Sequence, residues 1–244
     1  VLELHQFRHS AFCLKVRMTL QAKGLSFREV EVTPGIGQIA LFRLSGQRQV
    51  PVLVDADEVI ADSSAICRHL EALRPDPALI PADARQRSQM QLIEDWADTT
   101  LAAAVRAALL QAAADDQQLR EVLLPDDVPS PVRQVMSGLP GGWLSGLGEL
   151  LGQEQRSSML SSLCAIADGL DLNGCLVGDA ISLADIAVAA QLSLLRFPAS
   201  AGESLAGRGV PGISDHPRLQ HLFRWRDQLE TRLINLDPAS AAAV

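Results

Sequence analysis

Two neighbouring stretches decide the fold of this 244-residue chain: Gln49-Val50-Pro51-Val52-Leu53-Val54 and Val59-Ile60-Ala61-Asp62-Ser63-Ser64. In the first stretch, Pro51 opens the apolar run 52–54, which is typical of a buried strand. Because proline lacks a backbone N–H and is confined in sheets to edges, strand starts and bulges, Pro51 predicts a bend where the chain enters that strand. A cis peptide is one form of this bend, since it costs little before proline.

The backbone at Val50 and the polar pair Asp62-Ser63 favour a ligand with peptide character. A bend at Pro51 is expected to turn the N–H and C=O of Val50 outward, where they can pair with an extended ligand. Asp62 and Ser63 lie where a strand gives way to a helix, and the amides at a helix start favour a carboxylate. Since the Asp62 carboxylate suits an amine, we expect a zwitterionic peptide here.

These residues resemble the glutathione site of the cytosolic glutathione transferases. The resemblance lies in Val50-Pro51-Val52-Leu53 together with Asp62-Ser63-Ser64-Ala65-Ile66. A second match is a capping box of Ser182 and Asp185, flanked by the hydrophobic staple residues Ile181 and Ile186. The resemblance implies an α/β plus all-α fold, in which a thioredoxin-like N-terminal domain is followed by an all-helical C-terminal domain.

The resemblance also implies binding roles, with glutathione as the cosubstrate. Val50, beside Pro51, is expected to hold the cysteinyl part of glutathione through its backbone. Asp62 and Ser63 are expected to hold the γ-glutamyl amine and carboxylate, and Gln49 to lie near the glycyl carboxylate. Each also has a plain interpretation, with Ser63 as a helix cap, Asp62 as a partner of the helix dipole and Gln49 as a surface residue.

Ser10 is the candidate catalytic residue. It lies between the first strand and the first helix, where serine-type and cysteine-type members of the family place their active residue. The run Ser10-Ala11-Phe12-Cys13 resembles the Ser-Pro-Phe-Cys pattern of bacterial members, with Ala11 in place of proline. A hydroxyl hydrogen bond and the helix N-terminus favour the thiolate of glutathione. The alternative is that Ser10 only caps the helix.

Cys13 is the alternative reactive group. Near a helix N-terminus its pKa can be lowered, which would allow a mixed disulfide with glutathione. The interpretation that the sequence favours is a small apolar residue packed behind the site. Tyrosine is absent from the chain, which excludes activation of the thiol by a tyrosine hydroxyl. The second substrate is expected near residues of the first turn and of a long helix: Phe7, Arg8, Phe12, Trp96 and Thr100.

Hydrophobic and proline patterns divide the chain into two predicted domains. Residues 1–74 form the thioredoxin-like domain, 75–84 a linker that opens with two closely spaced prolines, Pro75 and Pro77, and 85–244 the helical domain. The predicted order of elements in the first domain is strand, helix, strand, short helix, two strands and a helix. This order predicts one parallel crossover and one antiparallel hairpin. The stretch at about 115–154 is a Pro/Gly-rich insertion, predicted as a loop or a hairpin of short helices.

The composition of the chain limits the kinds of partner that we expect it to bind. The net charge of −8 argues against nucleic acid, because binding phosphates needs clustered basic residues. No apolar run approaches the length of a membrane span, and no signal peptide is visible, so we expect a cytoplasmic protein. The histidines and four scattered cysteines lack metal-ligand spacing, so no metal is expected.

The predicted function is that of a serine-type bacterial glutathione transferase acting on a hydrophobic electrophile, by conjugation, isomerisation or peroxide reduction, in the manner of a detoxification enzyme. Two alternatives stay open, namely thiol transfer through Cys13 and a non-catalytic binding or regulatory protein. The resemblance further implies a homodimer.

Overall fold

The computed structural model describes residues 1–33, 36–123, 152–170 and 174–236. Strands β1 (Leu2–Gln6), β2 (Phe27–Glu31), β3 (Val52–Asp55) and β4 (Glu58–Ala61) form one sheet in the order β2-β1-β3-β4. β1 is parallel to β2, whereas β3 is antiparallel to both β1 and β4. The predicted parallel crossover and antiparallel hairpin are confirmed.

Helices α1 (Ala11–Ala22), α2 (Ile36–Ser45) and α3 (Ser63–Leu73) connect and follow these strands. α1 buries Val16 and Leu20, and α3 buries Ile66 and Leu70. Each pair is four residues apart and so lies on one helix face. The sequence of elements is that of a thioredoxin-like domain, as predicted.

A helical C-terminal domain follows. Its described helices are α4 (Ala84–Trp96), α5 (Ala102–Asp115), α6 (Gln117–Leu123), α7 (Gly152–Gly169), α8 (Leu183–Leu195) and α9 (Gln220–Leu236). None of the helices in the described ranges is long and apolar enough to cross a membrane. Apart from α6 and the start of α7, the predicted insertion at about 115–154 lies outside the described residues.

One helix differs from the prediction. The sequence predicts a single α-helix from 81 to about 114, but a π-helical segment, Ala97–Leu101, interrupts it between α4 and α5. A π-turn adds one residue to a helical turn without breaking the chain of backbone hydrogen bonds. The apolar spacing on either side therefore still looks helical, and the sequence pattern does not reveal it.

The capping box at the start of α8 is present, with one difference from the expected hydrogen bonds. Asp185 Oδ2 accepts the Ser182 N–H at 2.8 Å, as predicted, while Oδ1 accepts the Leu176 N–H at 2.7 Å. The Ser182 hydroxyl was expected to accept from the Asp185 N–H, but it donates to Asp185 Oδ2 at 2.7 Å. A carboxylate is the stronger partner for a hydroxyl. Burial raises the pKa of the Asp185 carboxyl.

By packing, the chain divides into two compact units. The first comprises Val1–Glu94, Cys175–Ala190 and Gln228–Val244, and the second comprises Asp95–Gly174 and Gln191–Asp227. The sheet and α1 to α3 belong to the first unit. The domain and linker boundaries given above, at residues 74 and 84, stay predictions.

Candidate functional site

Three of the predicted site segments meet at one edge of the sheet. His5 of β1 pairs with Val52 of β3, so the end of β1 lies beside the start of β3. Val52 also pairs with Ala61, so the end of β4 lies beside that same start. Ser10 follows β1, Gln49 to Pro51 precede β3, and Asp62-Ser63 follows β4. The strand register therefore brings these segments to a common edge.

Ser10 is the N-cap of α1. Its backbone is extended, at φ −92° and ψ 125°, and its Oγ accepts the Cys13 N–H at 3.4 Å. The side chain is partly exposed. This bond uses an acceptor site of the oxygen, and the hydroxyl can donate its proton either to the Cys13 thiol, with which it also interacts, or to a ligand. Capping and a catalytic role are therefore compatible in this geometry.

The turn before Ser10 is held by Arg17, which the sequence reasoning missed. Its guanidinium donates to the Arg8 carbonyl oxygen at 3.0 Å and to Gln6 Oε1. The Arg8 N–H in turn donates to Glu31 Oε1 at 2.7 Å. Burial lowers the pKa of Arg17. In the sequence, Arg17 stands four residues after Cys13, which is about one helical turn. This spacing was the available signal that its side chain lies near the end of β1.

Cys13 is fully buried. Its Sγ accepts the Phe7 N–H at 3.5 Å, and burial raises the pKa of the thiol. The helix N-terminus was expected to lower this pKa, but loss of water around the thiolate outweighs that effect. The sulfur is therefore a packed group whose thiol form is favoured by burial.

The backbone at Val50 has the predicted form. The Val50–Pro51 peptide is cis, which confirms the expected bend. Within the described ranges, neither the N–H nor the C=O of Val50 takes part in a hydrogen bond. Gln49 is exposed, and its carbonyl oxygen accepts from the Gln47 side chain at 3.2 Å. Val50 thus offers one donor and one acceptor to a ligand.

Asp62, rather than Ser63, is the N-cap of α3. Its Oδ1 accepts the Ala65 N–H at 2.9 Å, and its carbonyl oxygen accepts the Ile66 N–H at 2.9 Å. Asp62 adopts φ 78°, which is uncommon for a residue with a side chain. Asp62 is exposed, whereas Ser63 is buried in the first turn. A strained residue of this kind suggests a functional constraint.

Known proteins with similar sequences and structures identify the family. Residues 4–78 match the glutathione S-transferase N-terminal domain. The chain is 27% identical to LigF of Sphingobium sp. strain NBRC 103272/SYK-6, over 95% of this chain and 90% of that protein. Residues 4–78 thus form a glutathione S-transferase N-terminal domain, and the chain as a whole is similar to LigF.

Two further matches span most of this chain. It is 24% identical to rat (Rattus norvegicus) maleylacetoacetate isomerase, over 90% of this chain and 84% of that protein. The crystal structure of the β-etherase LigF from Sphingobium sp. strain SYK-6 has a TM-score of 0.67 at 24% identity, covering 100% of this chain and 99% of that one. This structural match shows the shared fold.

Both lysines of the chain are buried between α1 and α3, which the sequence did not reveal. Lys15 Nζ donates to Ser64 Oγ at 2.9 Å and to Glu94 Oε1 at 2.7 Å. Two turns further along α1, Lys23 Nζ pairs with Glu71 and donates to the Pro77 carbonyl oxygen at 2.6 Å. These contacts fasten α1 to α3 at both ends.

The residues predicted for the second substrate fall into two groups. Phe7 and Phe12 are partly exposed at the turn into α1, and Arg8 is exposed. The Phe7 and His9 rings meet edge to face at 5.9 Å. Trp96 ends α4 and Thr100 lies in the π-helical segment, both in the second compact unit. Their joint role in a substrate site stays a prediction.

Among the described residues, no cluster of His, Cys, Asp and Glu is arranged to hold a metal ion.

Proposed function

We propose that this protein is a serine-type glutathione transferase that attacks a hydrophobic electrophile with the glutathione thiolate. The observation that carries the proposal is the convergence of Ser10, Val50 and Asp62-Ser63 at one sheet edge. This edge offers an unpaired peptide group, a carboxylate and two helix starts. Glutathione has the complementary groups, namely a peptide backbone, an amine, a thiol and carboxylates.

Each binding step follows from the chemistry of these groups. The N–H and C=O of Val50 pair with the cysteinyl peptide group of glutathione. The exposed Asp62 carboxylate takes the γ-glutamyl amine, while Ser63 and the first amides of α3 take its carboxylate. Gln49, which is exposed beside Val50, donates to the glycyl carboxylate.

Ser10 then stabilises the thiolate. Its oxygen accepts from Cys13, and its proton is donated to the glutathione sulfur, where the N-terminus of α1 also favours negative charge. The thiolate attacks an electrophilic carbon and forms a C–S bond, while the leaving group departs with its electron pair. Because LigF is a β-etherase and the rat relative is a maleylacetoacetate isomerase, the substrates tested include ethers and maleylacetoacetate as well as aryl halides.

The alternative through Cys13 lacks such support. A thiol that is fully buried and has a raised pKa is a poor nucleophile. The homodimer, the cytoplasmic location and a role in detoxification are part of the same proposal, by analogy with the family; sedimentation of the purified protein tests the first.

The test measures the rate of glutathione conjugation as a function of pH for the wild type and for Ser10→Ala. Loss of the Ser10 hydrogen bond removes a charge-assisted interaction and lowers the rate roughly tenfold to a hundredfold. The acid limb of the rate profile shifts to higher pH, because the thiolate is less stabilised. Glutathione binding without turnover of any electrophile supports the non-catalytic alternative. Equal rates in both proteins contradict the role of Ser10.

A further inference from the structure

A cluster of three polar side chains, of which Lys15 and Glu94 are buried and Ser64 is partly exposed, lies at the start of α3. Lys15 Nζ donates to both Ser64 Oγ and Glu94 Oε1, and the Ser64 hydroxyl donates to Glu94 Oε1 at 3.0 Å. The side chains of Lys15 and Glu94 are 1% and 4% exposed. Each of the three contacts joins two different helices, since Lys15 is on α1, Ser64 on α3 and Glu94 on α4.

Stability alone does not account for such a cluster. Removing an ion pair from water costs about as much as its attraction returns, and well-packed apolar residues in its place are often as stable or more so. The cluster instead fixes the orientation of the Ser64 hydroxyl. The Ser64 hydroxyl accepts from Lys15 and donates to Glu94, so its orientation is fixed from both sides.

The cluster lies next to both ends of the proposed glutathione site. Ser64 is adjacent to Ser63 and is the second residue of α3, whose cap is the strained Asp62. Lys15 is on the same helix as Ser10, little more than one turn away. The Lys15–Ser64 hydrogen bond therefore ties the helix of the proposed thiol site to the start of α3 at the proposed γ-glutamyl site, and the Lys15–Glu94 ion pair ties the same helix to α4.

We infer that Lys15, Ser64 and Glu94 are positioning residues that hold the first turn of α3 in the geometry that binds the γ-glutamyl group. This inference rests on the proposed function. A preorganised turn spares the ligand the entropy of ordering it, so the cluster acts on affinity. Ser64→Ala is expected to weaken glutathione binding roughly two- to tenfold, the value of one hydrogen bond. The rate at saturating glutathione is expected to stay near that of the wild type.

The same helix pair offers a matched control one turn further on. There the Thr19 hydroxyl and the Cys67 thiol are 3.2 Å apart, again between α1 and α3, and both residues are buried. Cys67→Ala, like Ser64→Ala, removes one polar atom of α3 that contacts α1. It lies away from the first turn, so glutathione affinity is expected to be unchanged.

A second variant separates positioning from stability. In Lys15→Met/Glu94→Leu, apolar side chains replace the ion pair, and the protein is expected to melt at or above the wild-type temperature. Glutathione affinity is nevertheless expected to fall about as far as in Ser64→Ala, roughly two- to tenfold. If the cluster had only a structural role, glutathione affinity would follow the melting temperature and would not fall in this variant.

The experiment measures glutathione affinity by calorimetry and amide hydrogen exchange in the ligand-free proteins. The Ala65 and Ile66 amides, which bond to Asp62, report the first turn of α3 directly. Faster exchange at these amides in Ser64→Ala, with weaker binding in Ser64→Ala but not in Cys67→Ala, supports the inference. Unchanged exchange there, or equal loss of affinity in both variants, overturns it. If the wild type does not bind glutathione, the proposed function fails, and the exchange at Ala65 and Ile66 alone decides the positioning role.

Discussion

The Oγ of Ser10 accepts the Cys13 N–H at 3.4 Å, so the residue proposed to act on glutathione is also the cap of α1. Substituting it therefore has two effects that need to be separated. Ser10→Ala is expected to cost about 1 kcal/mol of unfolding free energy through loss of the cap.

Asp83 supplies the matched control for that effect. Its Oδ1 accepts the Gln86 N–H at 2.9 Å at the start of α4. Asp83→Ala is expected to lose a similar ~1 kcal/mol in urea unfolding while keeping its conjugation activity. If the two variants lose activity in proportion to their stability, Ser10 acts only as a cap.

The Cys13 thiol is expected to be unreactive in the folded protein. It is fully buried, and burial raises its pKa. After treatment with glutathione disulfide near neutral pH, mass spectrometry of peptides is expected to find Cys13 unmodified. The same treatment in guanidinium chloride provides the control, because unfolding exposes the thiol. A mixed disulfide on Cys13 in the native protein would restore the thiol-transfer alternative.

The backbone of Asp62 is expected to be strained. At φ 78° a residue with a Cβ is disfavoured, whereas glycine is not. Asp62→Ala and Asp62→Gly both remove the cap, so the difference between them isolates the backbone effect. Asp62→Gly is expected to be the more stable variant by about 1 kcal/mol in chemical denaturation. A more stable alanine variant would show that the conformation carries no strain.

The two lysines are expected to resist amine-reactive reagents. Lys15 and Lys23 are each 1% exposed and are held by carboxylates. Acetic anhydride at a concentration that acetylates a free lysine peptide is expected to leave both unmodified in the native protein. Both are expected to react after denaturation. Native acetylation of Lys15 would mean that α1 and α3 separate readily.

Asp185 is expected to make stability depend on pH. Burial raises the pKa of its carboxyl above the usual 3.8, so the folded state binds a proton more readily than the unfolded state. The contribution of Asp185 to stability is therefore greatest at low pH and falls as pH rises from about 4 through the folded pKa. Asp185→Asn does not titrate. The stability of the wild type relative to this variant, measured by urea unfolding, should decline over that range; a rise would contradict the assigned direction.

Local sequence signals predicted most of what is local in this structure. The bend at Pro51, the strand after it and the turn before Val59 depend on residues close together in the chain. The same is true of the cap at Ser10 and of the capping box at Asp185. Even there, the sequence pattern did not decide which partner the Ser182 hydroxyl takes, since its acceptor depends on the burial of the carboxylate.

Other features could not be predicted from the sequence, because residues close together in the chain do not encode them. The π-helical segment keeps a helical apolar pattern on both sides. The pKa of Cys13 could not be decided from the sequence, because the sequence shows the helix start, which would lower it, but not the burial that raises it.

By itself, the sequence determined the order of elements, the thioredoxin-like topology and the identity of the candidate ligand-binding residues. Short-range constraints suffice for the order of elements and the topology, namely apolar periodicity, proline geometry and helix caps, whereas the candidate residues also depend on the resemblance to the glutathione transferases. Only the tertiary structure decided that Lys15 meets Ser64 and Glu94, which are 49 and 79 residues away in the chain. A lysine on a helix is ordinarily a solvated residue, and its burial depends on a counterion that the fold brings to it from a distance.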